Sequence, residues 1–433
     1  MKFKTTYNPS VVVHLSSTAV HTVVAAKSPC GQHIELAVVS SVSTDSFFAG
    51  KVLHRDNLVR AIKKTIQEAE ERSGLRIENV VVCVTSTALM SDNVLGQVTL
   101  DPELPVDSGH MSQALSFAKE KFVASEYYLT QFATQMIWLN DDTQSVKDAL
   151  GMTGVRQLVA SYHLMALPAE ILNGIYNVVQ EVIEVNSVVF DVVAGATYCL
   201  MPDERKSGVL FIDIGAKVTN ICVYKDEVLL LTGVFAWGGD DVTTELAKQC
   251  NISYKEAERL KRQYGTLGEI NDKTDFANAQ KDGQNTVVHR DKLNQIIKQC
   301  YRQVFCDIVA YMDSKSIPKE FCDAGIVLAG GGAQMQGMVA YTKKTLRMPV
   351  HLANSNPQIT LHKERLQDEQ IKTLGFEINN RKLYPAFGAL LYDLNDELRR
   401  EQDIYEPTAE RSKLWQALHR YKQTLLNWLH RHA

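Results

Sequence analysis

The residues of this 433-residue chain with the clearest chemical use stand at the ends of two apolar runs. Val209, Leu210, Phe211 and Ile212 lead into Asp213, Ile214 and Gly215, the pattern of a buried strand that delivers a carboxylate and then a glycine to a tight hairpin. Backbone N–H groups in such a turn, completed here by Ala216 and Lys217, can point at phosphate, and Asp213 is placed to hold a metal-bound water. Far downstream, Gly325, Ile326, Val327, Leu328 and Ala329 repeat the logic and end in Gly330, Gly331 and Gly332. Glycines let the backbone approach a nucleoside and its phosphates, and the start of the following helix favours the anion. Either segment alone reads as a plain turn. Both together, in this order and separation, point to one nucleotide site.

Loops of this kind need open α/β sheets to carry them, and the periodicity supplies these. Residues 10–26 and 34–43 read as β-branched strands, and 56–73 reads as a helix with Leu58, Ile62, Ile66 and Ala69 on one face. A short buried strand follows at 80–84. The texture then changes over 85–164 to a compact α+β insert, with strands near 94–100, 127–138 and 155–162 and a helix near 110–121. A helix from Ala169 leads to a strand over 187–192, and then 209–224 and 228–235 form a hairpin about Lys225 and Asp226. Helices over 241–249, 254–264 and 290–314 precede the strand at 325–328.

Composition limits the remaining possibilities. With 45% hydrophobic and 22% charged residues the chain can bury a sizeable core in two or more domains. A formal net charge of −4 creates no field that would draw nucleic acid as the main partner. The eight cysteines form no CxxC pair and sit mostly in apolar runs, which suits a reducing cytosol. Residues 1–27 lack a signal-peptide design, and no stretch approaches the roughly 18 to 20 apolar residues that span a bilayer, so any membrane contact is expected to be peripheral.

The two glycine loops resemble the second phosphate loop and the adenosine loop of the superfamily of actin, sugar kinases and heat-shock chaperones. Within it, the insert at 85–164 and the segments 151–158, 200–213, 325–337 and 385–392 resemble the bacterial cell-division family FtsA. The resemblance implies a two-lobed actin-like ATPase fold. Its first lobe would comprise 1–84, 165–200 and 381–395, interrupted by the insert, and its second lobe 201–380, with a helical subdomain at about 241–315. It also implies ATP or ADP with magnesium in the cleft, held by Ser17 and Thr18 of a first loop, by Asp213, Gly215, Ala216 and Lys217, by Gly239, and by Gly330, Gly331 and Gly332. Glu258 and Lys261 would approach the adenine or ribose. From their spacing alone, that pair is equally a solvated i,i+3 ion pair, and Gly238 and Gly239 are equally a capped helix start. The chain departs from the family where His14 replaces an acid, Ser16 a glycine and Asn220 another acid. Metal-assisted hydrolysis is weakened accordingly, and the expectation is nucleotide binding with slow or absent turnover.

The last residues read differently again. Residues 396–411 are dominated by charge, as a solvated linker would be. From 412 to 433 an amphipathic helix is expected, with Leu414, Trp415, Leu418, Tyr421, Leu425, Leu426, Trp428 and Leu429 inside about 160° of a helical wheel. Lys413, Arg420, Lys422 and Arg431 are cationic and the stretch from Lys413 onward has no acid, so anionic lipid is the natural partner. The FtsA resemblance then implies a scaffold that self-associates into filaments and joins the tubulin-like FtsZ and other division proteins to the cytoplasmic face of the inner membrane at the septum. Two alternatives share the superfamily. One is a pilus-assembly adaptor resembling PilM. The other is a small-molecule kinase, which the altered first loop and the lack of a substrate base disfavour.

Overall fold

A run of valines starts the first lobe: β1 (Ser10–Leu15), β2 (Ala19–Lys27) and β3 (Ile34–Ser43) form an antiparallel meander in which His14 pairs with His21. After a small ribbon of β4 (Phe47–Phe48) and β5 (Lys51–Val52), α1 (Arg55–Ser73) buries Leu58, Ile62, Ile66 and Ala69. It stops at Gly74, whose left-handed φ of 68° a side chain would resist. The next strand, β6 (Asn79–Val84), returns parallel to β1. Strands covered on both faces need continuous apolar runs, and β1 is buried along its whole length. In this computed structural model the described residues are 9–395 without 29, 32, 123–125, 141–143, 270–275, 282–283 and 362–367. The expected linker at 396–411 and amphipathic helix at 412–433 lie outside the described residues.

The insert follows as β7 (Met90–Thr99), α2 (Ser108–Phe122), β8 (Tyr127–Leu139) and β9 (Gln157–Pro168), with β9 central and a core of its own around Leu115, Phe132, Leu158 and Tyr162. Then come α3 (Ala169–Val179), β10 (Glu184–Phe190), α4 (Asp191–Cys199) and the short α5 (Pro202–Ser207).

The second lobe opens with the meander β11 (Val209–Ile214), β12 (Thr219–Lys225) and β13 (Val228–Phe235). It continues through α6 (Gly239–Cys250), α7 (Tyr254–Tyr264), the hairpin β14 (Phe276–Lys281) and β15 (Gln284–His289), α8 (Arg290–Ser314), β16 (Gly325–Ala329), α9 (Met338–Leu346) and β17 (Val350–Leu352). Its sheet order is β13-β12-β11-β16-β17, which repeats the first lobe's β3-β2-β1-β6-β10. The repetition gives each lobe an equivalent β-turn at the end of its first strand, Ser16–Thr18 in one and Gly215–Val218 in the other.

Re-entry to the first lobe comes earlier than residue 381. The three-residue β18 (Ile359–Leu361) pairs in parallel with the free edge of β3, ahead of α10 (Asp368–Ile378) and α11 (Tyr384–Leu394). So short a strand has no period to read, and only its neighbour defines it. The helices α4 and α11 cross backbone to backbone, since a Cβ on Gly388 would lie 1.7 Å from the carbonyl oxygen of Ala194. Phe211 of the second sheet packs in the same core as α4, α11 and the first-lobe valines, so apolar packing is continuous from one lobe to the other.

The insert interrupts the first lobe in sequence yet is tied by polar bonds to β13, the edge strand of the second. Ser91 Oγ donates to Thr232 O (3.1 Å), Asn93 Nδ2 to Leu230 O (2.9 Å) and Gln135 Nε2 to Leu229 O (2.7 Å). His163 lies 2.9 Å from Thr232 Oγ1, and burial holds its imidazole down to a pKa of about 3. These bonds cover strand groups that an open edge would leave exposed.

Candidate functional site

The two equivalent turns and the triple-glycine loop meet at one cavity of about 580 Å³, lined by residues of both lobes. The first-lobe turn is held by Ser16, whose hydroxyl donates to Ala19 O (2.9 Å) and accepts from Ala19 N (3.1 Å), so the serine that stands for a glycine braces the turn from inside. Ser17 and Thr18 lie on the cavity wall.

In the second-lobe turn, Gly215 N donates to Val218 O at 2.9 Å. The start of α6 is bonded onto that turn: Gly239 N donates to Gly215 O (3.0 Å) and Asp240 N to Ala216 O (2.7 Å). Only glycine fits at 238, because a Cβ there would come within 2.4 Å of Ala216 O. Asp213, Gly215, Ala216 and Gly239 line the cavity. Lys217 does not; its ammonium lies over the Phe48 ring, 5.7 Å from the centroid.

After β16 the chain turns at Gly330 with φ 81°, where a Cβ would sit 2.3 Å from both Asp213 Oδ1 and Ile214 O. The loop therefore lies directly against the Asp213 turn. Tyr301 of α8 donates its hydroxyl to Gly332 O at 2.8 Å and holds the far side. Gly330, Gly331 and Gly332 all line the cavity.

Glu258 and Lys261 also line it, but they form a clamp with Lys261 buried and Glu258 half-buried, not a solvated pair. Lys261 Nζ donates to Gly239 O (2.7 Å) and Thr243 Oγ1 (2.6 Å) and pairs with Glu258 Oε2 (2.6 Å), which joins α7 to the start of α6. Burial works against the Glu258 charge, yet the hydrogen bonds of Lys261, Thr243 and Arg262 outweigh it and bring the carboxyl down to about 2. A carboxyl whose folded value is depressed below its ordinary 4.5 contributes stability that is complete above about pH 4.5 and is lost as pH falls toward 2. Glu258→Gln should lack that loss. Urea melts of the two proteins between pH 5 and about 2 check it; curves that stay parallel over the range would contradict the assignment.

The floor belongs to the first lobe and contains residues that sequence reasoning did not single out. Asp191 opens α4, and its carboxylate meets His14 Nε2 at 3.2 Å and accepts from Cys83 Sγ at 3.1 Å. A lone acid among Val188, Val189, Phe190, Val192 and Val193 was the available signal. Asn220, where the family has an acid, accepts from Thr85 Oγ1 across the lobes at 2.7 Å. Burial, and next the charge of Asp191, push the Asp213 carboxyl up to about 6 despite the Asn220 hydrogen bond and His14. Arg381 and Lys382 complete the wall from the turn before α11. Nothing local marks them, since they arrive from the far end of the fold.

The donor set does not fit the expected magnesium. Among the described residues no group of three or more His, Cys, Asp or Glu could hold a metal ion. Asp191 meets His14 through Oδ2 and Cys83 through Oδ1, and Asp213 is hydrogen-bonded to Asn220 and pressed against Gly330. Magnesium is ordinarily held through one or two carboxylates together with waters and the phosphates of its substrate, and both floor carboxylates are already engaged within the protein.

A family profile described as "Cell division protein FtsA" matches residues 210–373. The chain is 26% identical to the cell division protein FtsA of Pseudomonas aeruginosa over 307 residues, 70% of this chain and 73% of that one. It is 24% identical to that of Escherichia coli K12 over 329 residues, 74% and 78% of the two chains. Among solved structures, the PilM-PilN type IV pilus biogenesis complex superposes with a TM-score of 0.61 at 17% identity, covering 89% of this chain and 98% of that one, a likeness of fold alone. The fold is the two-lobed actin-like ATPase fold, and the chain is similar over about 70% of its length to the cell division protein FtsA of these bacteria.

Proposed function

We propose that this cell-division actin-like protein binds ATP or ADP in the inter-lobe cavity and acts as a membrane-tethered, self-associating scaffold for the FtsZ ring. The observation that carries the nucleotide reading is the meeting of three backbone turns, Ser16–Thr18, Gly215–Val218 and Gly330–Gly332, on one cavity of about 580 Å³, a size that suits a nucleotide. The glycine-rich side takes the nucleoside and the paired turns the phosphates. With His14 and Asn220 where the family has acids, and with both remaining floor carboxylates bonded within the protein, hydrolysis is slow or absent.

Among the described residues no helix is long and apolar enough to cross a membrane. Peripheral attachment rests on the sequence of 412–433, whose apolar arc and cations suit the cytoplasmic face of the inner membrane at the septum. FtsZ, other division proteins and filament formation are carried over from the likeness to FtsA. Nothing specific favours the pilus adaptor, since the PilM likeness is one of fold. A small-molecule kinase would need a free carboxylate as base, and neither Asp191 nor Asp213 is free.

Calorimetry on the full chain should give an ADP or ATP dissociation constant between about 1 μM and 1 mM. Phosphate release should stay well under the roughly 1 to 100 per second of kinases. Absence of binding heat at millimolar nucleotide would overturn the reading.

A further inference from the structure

The mismatch between the floor and magnesium leaves a question of charge. A nucleoside diphosphate brings about three negative charges into this cavity, and something must offset them. Of the four acids that line it, Glu258 is matched by Lys261 and Arg262, Asp191 is bonded to His14 and Cys83, Asp213 to Asn220, and Asp240 to Tyr254. Two further cations on the wall, Arg381 and Lys382, have no acidic side chain paired with them among the described residues, although Arg381 also meets the Tyr384 hydroxyl. Both stand on the single turn Arg381–Leu383 that feeds α11. The first turn of α11 comes down onto the same floor, since the carbonyl oxygen of Pro385 lies 3.6 Å from Cys83 Sγ. Lys382 is near enough for its charge to act on buried His21, the pairing partner of His14. His14 itself is 2% exposed, lines the cavity, and keeps its Nδ1 buried without a hydrogen-bond partner among the described residues.

We propose that Arg381 and Lys382, above the His14 floor, bind the phosphate tail directly, so that this chain takes up nucleoside di- and triphosphates without a divalent cation. The inference rests on the nucleotide reading above. Arg381 presents the planar fork of donors that matches phosphate oxygens and Lys382 a point charge beside it. Ser17, Thr18 and the amides of the two turns supply the neutral hydrogen bonds. Side chains thus take the place of the ion, and the floor needs no open carboxylate.

Calorimetry with ADP and with adenosine, each in excess EDTA and in excess magnesium, tests this on the full chain and on R381Q, K382Q and the double variant. For the unaltered chain the ADP dissociation constant in EDTA should lie within about threefold of that in magnesium. Each single substitution should weaken ADP about tenfold or more and leave adenosine unchanged, because only the phosphates meet these cations. Thermal melts confirm that the variants are folded. ADP binding that requires magnesium would overturn the inference and leave the nucleotide reading intact. Equal loss of adenosine and ADP, or no loss of either, would also overturn it, the residues then acting through the fold or not at all. No binding of either ligand in any condition would remove the nucleotide reading itself.

Discussion

Replacing Trp415 and Trp428 together with glutamate should release the protein from anionic vesicles while leaving the body folded. The two tryptophans lie near opposite ends of the apolar arc of 412–433, a stretch expected to fold on lipid with that arc sunk at the headgroup boundary. A fully buried large side chain contributes roughly 1.5 to 3 kcal/mol, and partial insertion about half of that. Each new carboxylate adds repulsion of about 1 kcal/mol at an anionic surface. Together the changes remove about 4 kcal/mol, close to a thousandfold in binding. Lys413, Arg420, Lys422 and Arg431 remain, so weak, salt-sensitive attraction should persist. Sedimentation with vesicles of mixed neutral and anionic lipid reads the first effect and thermal melts the second. Unchanged vesicle binding, or a large fall in melting temperature, would mean that these residues dock on the body instead.

Gly330→Ala should be the most damaging single methyl in the cleft. At φ 81° an alanine is strained, and its Cβ would press on Asp213 Oδ1 and Ile214 O, each 2.3 Å away. Strain and displacement together cost about 2 to 5 kcal/mol. Since the displaced groups form the second-lobe turn, ADP binding should be lost as well. The neighbouring Gly331→Ala separates the two effects. Gly331 has φ −67° and nothing within 4 Å of its would-be Cβ, so alanine there should leave stability within about 1 kcal/mol. A fall in ADP affinity in Gly331→Ala without a change in melting temperature would then report a ligand lying against that backbone. A Gly330→Ala protein as stable as the original, with ADP bound as before, would show that the turn does not depend on its glycine.

Local features of this fold were open to reading before any contact was known. The period of apolar residues marks α7 at Tyr254–Tyr264 and α8 at Arg290–Ser314, and the unbroken apolar run marks β11 as a strand covered on both faces. The glycines of 330–332 announce a backbone that must turn where side chains cannot, and φ at Gly330 bears that out. Burial period and backbone freedom are properties of a few consecutive residues, which is why the strands, helices and loops were legible.

What the tertiary structure decided is where those pieces meet. His14 and Asp191 are 177 residues apart in the chain and 3.2 Å apart in the fold, and neither residue's surroundings in sequence reveal the other. Lys217 looked like a phosphate ligand by its place after Gly215, but its side chain lies over Phe48. Glu258 and Lys261 fitted a surface pair by spacing, and only the packing of α7 on α6 draws them into a clamp on Gly239 and Thr243. The return to the first lobe at β18 depends on a free edge of β3 that no three residues can encode. A local sequence sets what each segment can form and which faces it must bury. The choice of partner is made by the whole core, because the free energy of packing is shared among residues that only the closed fold brings together.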